Sequence, residues 1–232
     1  MSDIKIDVRV YPIDEPKGTT KAFASIGSND LIAIRGVRVV EGSKGLFTTM
    51  PQFKTKDDTY QDIAFPLTGD LRKQISAVVL NEFDRMMQLT PEQRSKESQN
   101  LSRADEKNIQ DVSLDIRVYV LDKPDGNTKA LASVSVDGLV AIRGVRVVES
   151  EKGAFVSMPQ SKDSTGGYHD IAFPLNGDLR KAITKAVLDN YNSSEIAAEH
   201  KLANGLRDGA AKAAKHTAVQ KDATRPRTGV RA

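Results

Sequence analysis

Cysteine is absent from this chain of 232 residues, which removes disulfides, thiol nucleophiles and thiolate metal sites together. Histidine is scarce: His169 lies in an extended stretch and His200 and His216 near the end, none at a metal-ligand spacing or beside a nucleophile motif. Neither a phosphate-cradling GxxxxGKS or GxxxxGKT loop nor a GxGxxG turn occurs. Asp62 and Asp170 end equivalent extended stretches, but neither has a second carboxylate at a telling interval, so structural roles are expected of them. No enzyme activity, metal site or cofactor is expected. Aromatic residues make up only 5% of the chain and hydrophobic residues 39%, enough for a packed core but a lean one. No apolar run approaches the roughly 20 residues that span a bilayer. The opening "MSDIKIDVRV" alternates charged and apolar residues, unlike a signal or transit peptide. A soluble cytoplasmic protein with no membrane partner is the expectation.

Positive charge is also sparse where it would matter most. The whole chain carries +3, but from Asn192 onward eight Lys or Arg face four Asp or Glu, a balance of +4 that leaves residues 1–191 at −1. A basic-protein argument for nucleic acid therefore rests on the last stretch of sequence and not on the body.

What is abundant is self-similarity. Sliding the chain by 108 residues aligns 4–83 with 112–191 without a gap, and about 44 of the 80 positions are identical. "IRGVRVVEGSKG" from Ile34 returns as "IRGVRVVESEKG" from Ile142, and "YQDIAFPLTGDLRKQI" from Tyr60 as "YHDIAFPLNGDLRKAI" from Tyr168. A period this long is a copied domain, because solenoid repeats run about 20–50 residues. The chain divides into a module over 1–86, a linker over 87–111 with room for a helical turn, a second module over 112–192, and a basic Ala/Lys-rich tail over 193–232. The tail is expected to be partly helical or disordered.

Each copy carries the same pattern. Ile4, Ile6, Val8 and Val10 alternate with Lys5, Asp7, Arg9 and Tyr11, the period of a half-buried strand. "DEPKGTT" and "DKPDGNT" are turns, "KAFASI" and "KALASV" second strands, the "IRGVRVV" stretches third strands, and "GLFTTMP" and "GAFVSMP" fourth strands. "YQDIAFP" and "YHDIAFP" read as a fifth short strand closed by Pro66 or Pro174. The period then turns helical, through Leu71, Ile75, Val78, Val79 and Phe83, and through Leu179, Ile183, Val187 and Tyr191. Thr68 or Asp70, and Asn176 or Asp178, are the candidate N-caps. The fold class is α+β: two similar modules, each a four- to five-stranded antiparallel sheet followed by a C-terminal helix.

Within "LIAIRGVRVVE" the apolar parity slips. Ile32 and Ile34 share a face, yet Val37 and Val39 fall at odd numbers, so one extra residue at Arg35–Gly36 is required. That is the footprint of a β-bulge, repeated at Arg143–Gly144. Gly45 and Gly153 mark turns with Lys44 and Lys152 just before them. Arg35, Arg38 and Lys44, with Arg143 and Lys152 in the second copy, are a candidate basic strip for phosphate. The alternative is an ordinary solvent face of a sheet.

The ordered set "IRGVRVVEGSKGLFTTMPQ" and "YQDIAFPLTGDLRKQISAVVLNEF" resembles the SpoVG family, the septation and stage V sporulation protein G regulators of bacteria. The resemblance covers each repeat almost entirely. It implies a small antiparallel sheet with a C-terminal helix, pairing of modules through the sheet, and binding to DNA, in some members to RNA, as a regulator. It further implies contact through the basic start of the helix, here Arg72 and Lys73, and Arg180 and Lys181. Three departures stand out, one being that the tail after about Asn192 matches no part of the family. Two modules share one chain, which suggests an intrachain pseudo-dimer in place of a homo-oligomer. Phe65 and Phe173 stand where many members carry a His before the Pro.

The same residues have a physical argument. "GDLRK" at Gly69 and Gly177 opens each helix, where unpaired N–H groups and the positive dipole end suit phosphate. Arg and Lys there are the wrong sign for the helix itself, which favours a functional reason for them. Asp70 and Asp178 cut the other way, as helix caps that would repel phosphate. Two functions follow as expectations: a nucleic-acid-binding regulator, or a protein–protein adaptor in septation or sporulation with no direct nucleic-acid role.

Overall fold

A computed structural model describes residues 4–98, 111–163 and 165–194. Residues as far as Tyr191 form one unit and those from Asn192 another, so the expected basic tail lies almost wholly outside the described residues. The first module runs β1 (Ile6–Pro12), β2 (Thr20–Ser28), β3 (Ile32–Gly42), β4 (Gly45–Thr49), β5 (Gln52–Lys54), β6 (Tyr60–Asp62), β7 (Ala64–Pro66), α1 (Gly69–Met87) and α2 (Pro91–Ser98). The second repeats it as β8 (Leu114–Asp125), β9 (Thr128–Val136), β10 (Val140–Ser150), β11 (Gly153–Ser157), β12 (Gln160–Lys162), β13 (Tyr168–Asp170) and β14 (Ala172–Pro174). A third helix, α3, begins at 177 and is described as far as 194.

The alternation that makes these segments strands also builds the core. Ala22, Ala24 and Ile26 of β2 and Ile32, Ile34, Val37 and Val39 of β3 are all buried on one face. Helix α1 lays Leu71, Ile75, Val79, Phe83 and Met86 against that face, and α3 presents Leu179, Ile183, Val187 and Tyr191 in the same way. Val78, expected inside, is 37% exposed, because Val79 already occupies that turn of the inward stripe. The β2–β3 and β9–β10 hairpins are closed by two residues at positive φ, Asn29 and Asp30 at 54° and 55° and Asp137 and Gly138 at 54° and 63°. This mirror-image turn matches the twist of the strands it joins.

The expected fifth strand proves to be two. In "YQDIAFP" the Tyr60–Asp62 half pairs with β5 of its own module, while the Ala64–Pro66 half crosses to β10 of the other. The second module answers with β12–β13 at home and β14 on β3. Each main sheet is five-stranded, in order β1-β2-β3-β14 with β4 also on β3, and β11-β10-β9-β8 with β7 also on β10. One strand of five thus comes from the opposite copy. The pairing registers Ala172 with Ile34, Phe173 with Ala33 and Pro174 with Ile32, and Ala64 with Ile142, Phe65 with Ala141 and Pro66 with Val140. Backbone bonds clamp both ends: Arg35 N–H donates to Ile171 (2.7 Å) and Leu175 N–H to Leu31 (2.9 Å), matched by Arg143 to Ile63 (2.7 Å) and Leu67 to Leu139 (2.8 Å). Pro at the end of each exchanged strand suits an edge that has no further neighbour to bond.

The bulge sits at the junction of these partners. Ser25 faces Arg35 and Ala24 faces Val37, leaving Gly36 as the extra residue at φ 77°; Gly144 stands at φ 74°. Residues 32–34 of β3 pair with the exchanged β14, and residues 38–42 pair with β4. The kink therefore lets one long strand serve two partners along the same edge.

A side chain at Gly36 would meet only Pro51 Cβ at 3.8 Å, so any cost there is conformational, not steric. Gly36→Ala and Gly144→Ala should each lower unfolding free energy by about 1–2 kcal/mol in urea titrations. Gly69→Ala, with open space around it, should stay within about 0.5 kcal/mol of the parent.

Candidate functional site

The start of each helix is fixed by its own cap. Thr68 is extended (φ −112°, ψ 147°) and its hydroxyl accepts from Leu71 N–H at 3.2 Å. Asn176 takes that role in the second module, its Oδ1 accepting from Asp178 N–H at 2.7 Å and Leu179 N–H at 3.3 Å. Asp70 and Asp178 are therefore free of capping duty and lie in the first turn.

Both acids turn to the neighbouring lysine. Lys73 Nζ stands 3.7 Å from Asp70 and Lys181 Nζ 2.9 Å from Asp178. Asp178, by hydrogen bond and by charge, raises the Lys181 ammonium above its usual range. The arginines reach further. Arg72 donates to Asp62 at 2.9 Å and Arg180 to Asp170 at 3.1 Å, while Gln52 and Gln160 hold the other oxygen of each acid at 2.9 and 3.0 Å. Asp62 and Asp170 thus tie the β5–β6 and β12–β13 hairpins to the helix starts. Each helix-start cation has a carboxylate partner, but these are exposed pairs worth about 0–1 kcal/mol, cheap for a phosphate to displace. Lys73 and Lys181 are 84% and 81% exposed.

Arg35 and Arg143 lie elsewhere, on the outward face at the bulge. Arg35 stacks over Phe173 (4.6 Å to the ring centre) and Arg143 over Phe65 (4.5 Å). Each ring comes from the opposite module, so strand exchange creates these contacts. Such a pair contributes about 0.5–1 kcal/mol at an exposed site. Among the described residues Arg35, Arg38, Arg143 and Arg146 have no carboxylate partner; Arg146 donates to Ser157 Oγ at 3.2 Å. Lys44 and Lys152 sit exposed in the β3–β4 and β10–β11 turns, off the sheet face. The candidate residues accordingly fall into three groups, namely ion-paired helix starts, stacked bulge arginines and turn lysines.

Sequence reasoning missed Phe65 and Phe173 as the rings under the arginines. The signal was present in "AFP", where a ring between a buried Ala and a buried Pro must face outward. Among the described residues no group of three or more His, Asp or Glu is gathered to hold a metal, and no helix is long and apolar enough to cross a membrane.

The SpoVG family model matches residues 4–85 and again 112–193. A curated relative from Myxococcus xanthus (strain DK1622), named "Putative septation protein SpoVG", is 47% identical over 79 residues, 34% of this chain and 78% of the relative. One of the same name from Lachnospira eligens is 38% identical over 85 residues, 37% of this chain and 96% of the relative. Another, from Symbiobacterium thermophilum, is 39% identical over 83 residues, 36% of this chain and 59% of the relative. Each alignment has the length of one module.

Removal of the caps should cost more than removal of the cations. Thr68→Ala and Asn176→Ala should each destabilise by about 1 kcal/mol in urea titrations. Arg72→Ala and Arg180→Ala should each cost less than that, since an exposed ion pair contributes little.

Proposed function

Because the chain belongs to the SpoVG family, with two of its modules in one polypeptide, we propose that it is a nucleic-acid-binding regulatory protein. It contacts phosphates and bases through the basic start of the helix in each module. The observation that carries this reading is the duplicated first turn: an accessible lysine and an arginine beside the backbone N–H groups of a capped helix end, presented twice by paired modules. DNA is the first partner, with RNA a second of the same backbone chemistry. The paired modules replace a homodimer, and the protein works in the cytoplasm. Septation, the process in the relatives' shared name, is the process it would regulate.

The local ion pairs explain how a body of net charge −1 can take up a polyanion. Asp62, Asp70, Asp170 and Asp178 hold the cations oriented until phosphate exchanges for carboxylate. The same −1 favours a second reading, a protein–protein adaptor in septation.

Fluorescence anisotropy with labelled duplex DNA across a salt series separates the two. Changing Arg72, Lys73, Arg180 and Lys181 together to Ala should weaken binding more than tenfold near 100 mM salt. It should also flatten the slope of log K against log salt by about 3–4 units. An unchanged slope and affinity would overturn the helix-start contact, and no binding by the parent chain would favour the adaptor.

A further inference from the structure

The outward faces of the two main sheets carry a pattern that the helix starts do not use. Directly opposed residues on neighbouring strands share a face, so the registers read as rows across each sheet. In the first sheet one row runs Tyr11, Phe23, Arg38, Thr49, and another ends on Arg35. A third row runs Asp7, Gly27, Ala33 and closes on Phe173 from the other module. In the second sheet the matching rows run Tyr119, Leu131, Arg146, Ser157, and Asp115, Ser135, Ala141, Phe65, with Arg117 opposite Ser133 between them.

Over the second sheet these rows form a groove of about 520 Å³, floored by Ser133 and Ser135 and walled by Tyr119, Arg117, Phe65 and Arg143. On the far side of Arg143 lies a second hollow of about 250 Å³, between Phe53 of the first module and Arg146 and Tyr168 of the second. Arg143 lines both, and the two hollows with Arg143 between them are called the lane. Tyr119 is 64% exposed, Tyr168 65% and Phe53 41%. Small hydroxyl side chains form the floor, rings stand along the walls, and arginines alternate with the rings.

We propose that this lane binds single-stranded nucleic acid, with successive bases stacked on Tyr119, on the Phe65–Arg143 pair and on the Phe53–Tyr168 hollow. This inference deepens the nucleic-acid reading above and rests on it. Charge complementarity selects the occupant. Of the three arginines only Arg117 has a carboxylate beside it, Asp115 at 3.7 Å, while Arg143 and Arg146 have none among the described residues. A polyanion satisfies that excess. Exposed rings at intervals suit flat partners that also have apolar faces, which unpaired bases offer and a duplex hides. The arginines serve twice, as phosphate contacts and as planes on which a base can stack. Occupancy of roughly two or three bases is the scale other open sheet faces accommodate.

The two copies are not equivalent. Ser161 stands at the position of Phe53, and Leu131 at that of Phe23, so the second sheet's lane alone ends on a Phe53-type ring. The duplicated module has thus diverged at exposed positions on this face, among others.

The test uses the full chain and labelled 12-nucleotide probes: oligo-dT, oligo-U and a mixed-sequence duplex, read by anisotropy. Tyr119→Ala combined with Tyr168→Ala should weaken both single strands tenfold or more, as loss of base stacking does, and leave duplex binding within twofold. The salt slope should not change, because no cation is removed. Tyr119→Phe with Tyr168→Phe should restore binding, since the rings remain. Oligo-dT against oligo-U decides which single strand is preferred. A parent chain that binds duplex but neither single strand would overturn the lane and leave the helix-start reading standing. Loss of the rings without effect, equal loss on duplex, or equal competition by polyglutamate would also overturn it. A quadruple helix-start variant that still binds single strands normally would overturn the helix starts for that ligand and leave the lane intact.

Discussion

Two three-residue strands, Ala64–Pro66 and Ala172–Pro174, hold the architecture together, since each completes the sheet of the other copy. A single module has a long third strand with one half of its edge open. Two modules on one chain close both openings reciprocally, with a few backbone bonds and with Ala64 and Ala172 wholly buried. The bulge at Gly36 and Gly144 divides each long strand between the exchanged partner and the home partner. The same crossing carries Phe65 and Phe173 under Arg143 and Arg35. Fold, module pairing and the composition of the outward face thus share one cause. In this structure the partner of each exchanged strand belongs to the same chain.

Much of this is written in the sequence, for identifiable reasons. The duplication follows from residue identity at a shift of 108, and the strand periods and the inward stripe of each helix from side-chain alternation, which local residues decide. The bulge is legible because only an inserted residue at Arg35–Gly36 returns Val37 and Val39 to the face of Ile32 and Ile34. The division of "YQDIAFP" is not legible, because Asp62 and Ala64 belong to different sheets through long-range pairing that no local period records. Helix α2 leaves a local trace: "TPEQ" places Pro91 at the first helical position, and Thr90 and Gln93 bond each other's backbone N–H at 3.3 and 2.9 Å. The carboxylate partners of Arg72 and Arg180 lie ten residues upstream across a turn, a spacing that no single element imposes.

The arrangement of charge separates two kinds of cation. Those at the helix starts are held by acids on short tethers, so their charge is locally balanced and their geometry set in advance. Arg35 and Arg143 on the outward sheet faces are held by rings, which orient a guanidinium without neutralising it. A chain whose body sums to −1 can therefore leave particular guanidiniums, as at Arg35 and Arg143, beside a ring and not a carboxylate while remaining near neutral overall. Net charge alone would have missed both.

The central claim, that each module completes its sheet with a strand of the other within one chain, has a direct test. The chain has no cysteine, so Ala33→Cys with Phe173→Cys introduces the only two thiols. The two positions oppose each other across β3 and β14. Opposed residues of a hydrogen-bonded antiparallel pair lie about 5.5 Å apart at Cα, within the range a disulfide spans. Mild oxidation of the dilute protein, followed by non-reducing electrophoresis and peptide mapping, should give an intrachain 33–173 link at the mass of one chain. A link appearing only in covalent dimers, or no link at all, would contradict the account.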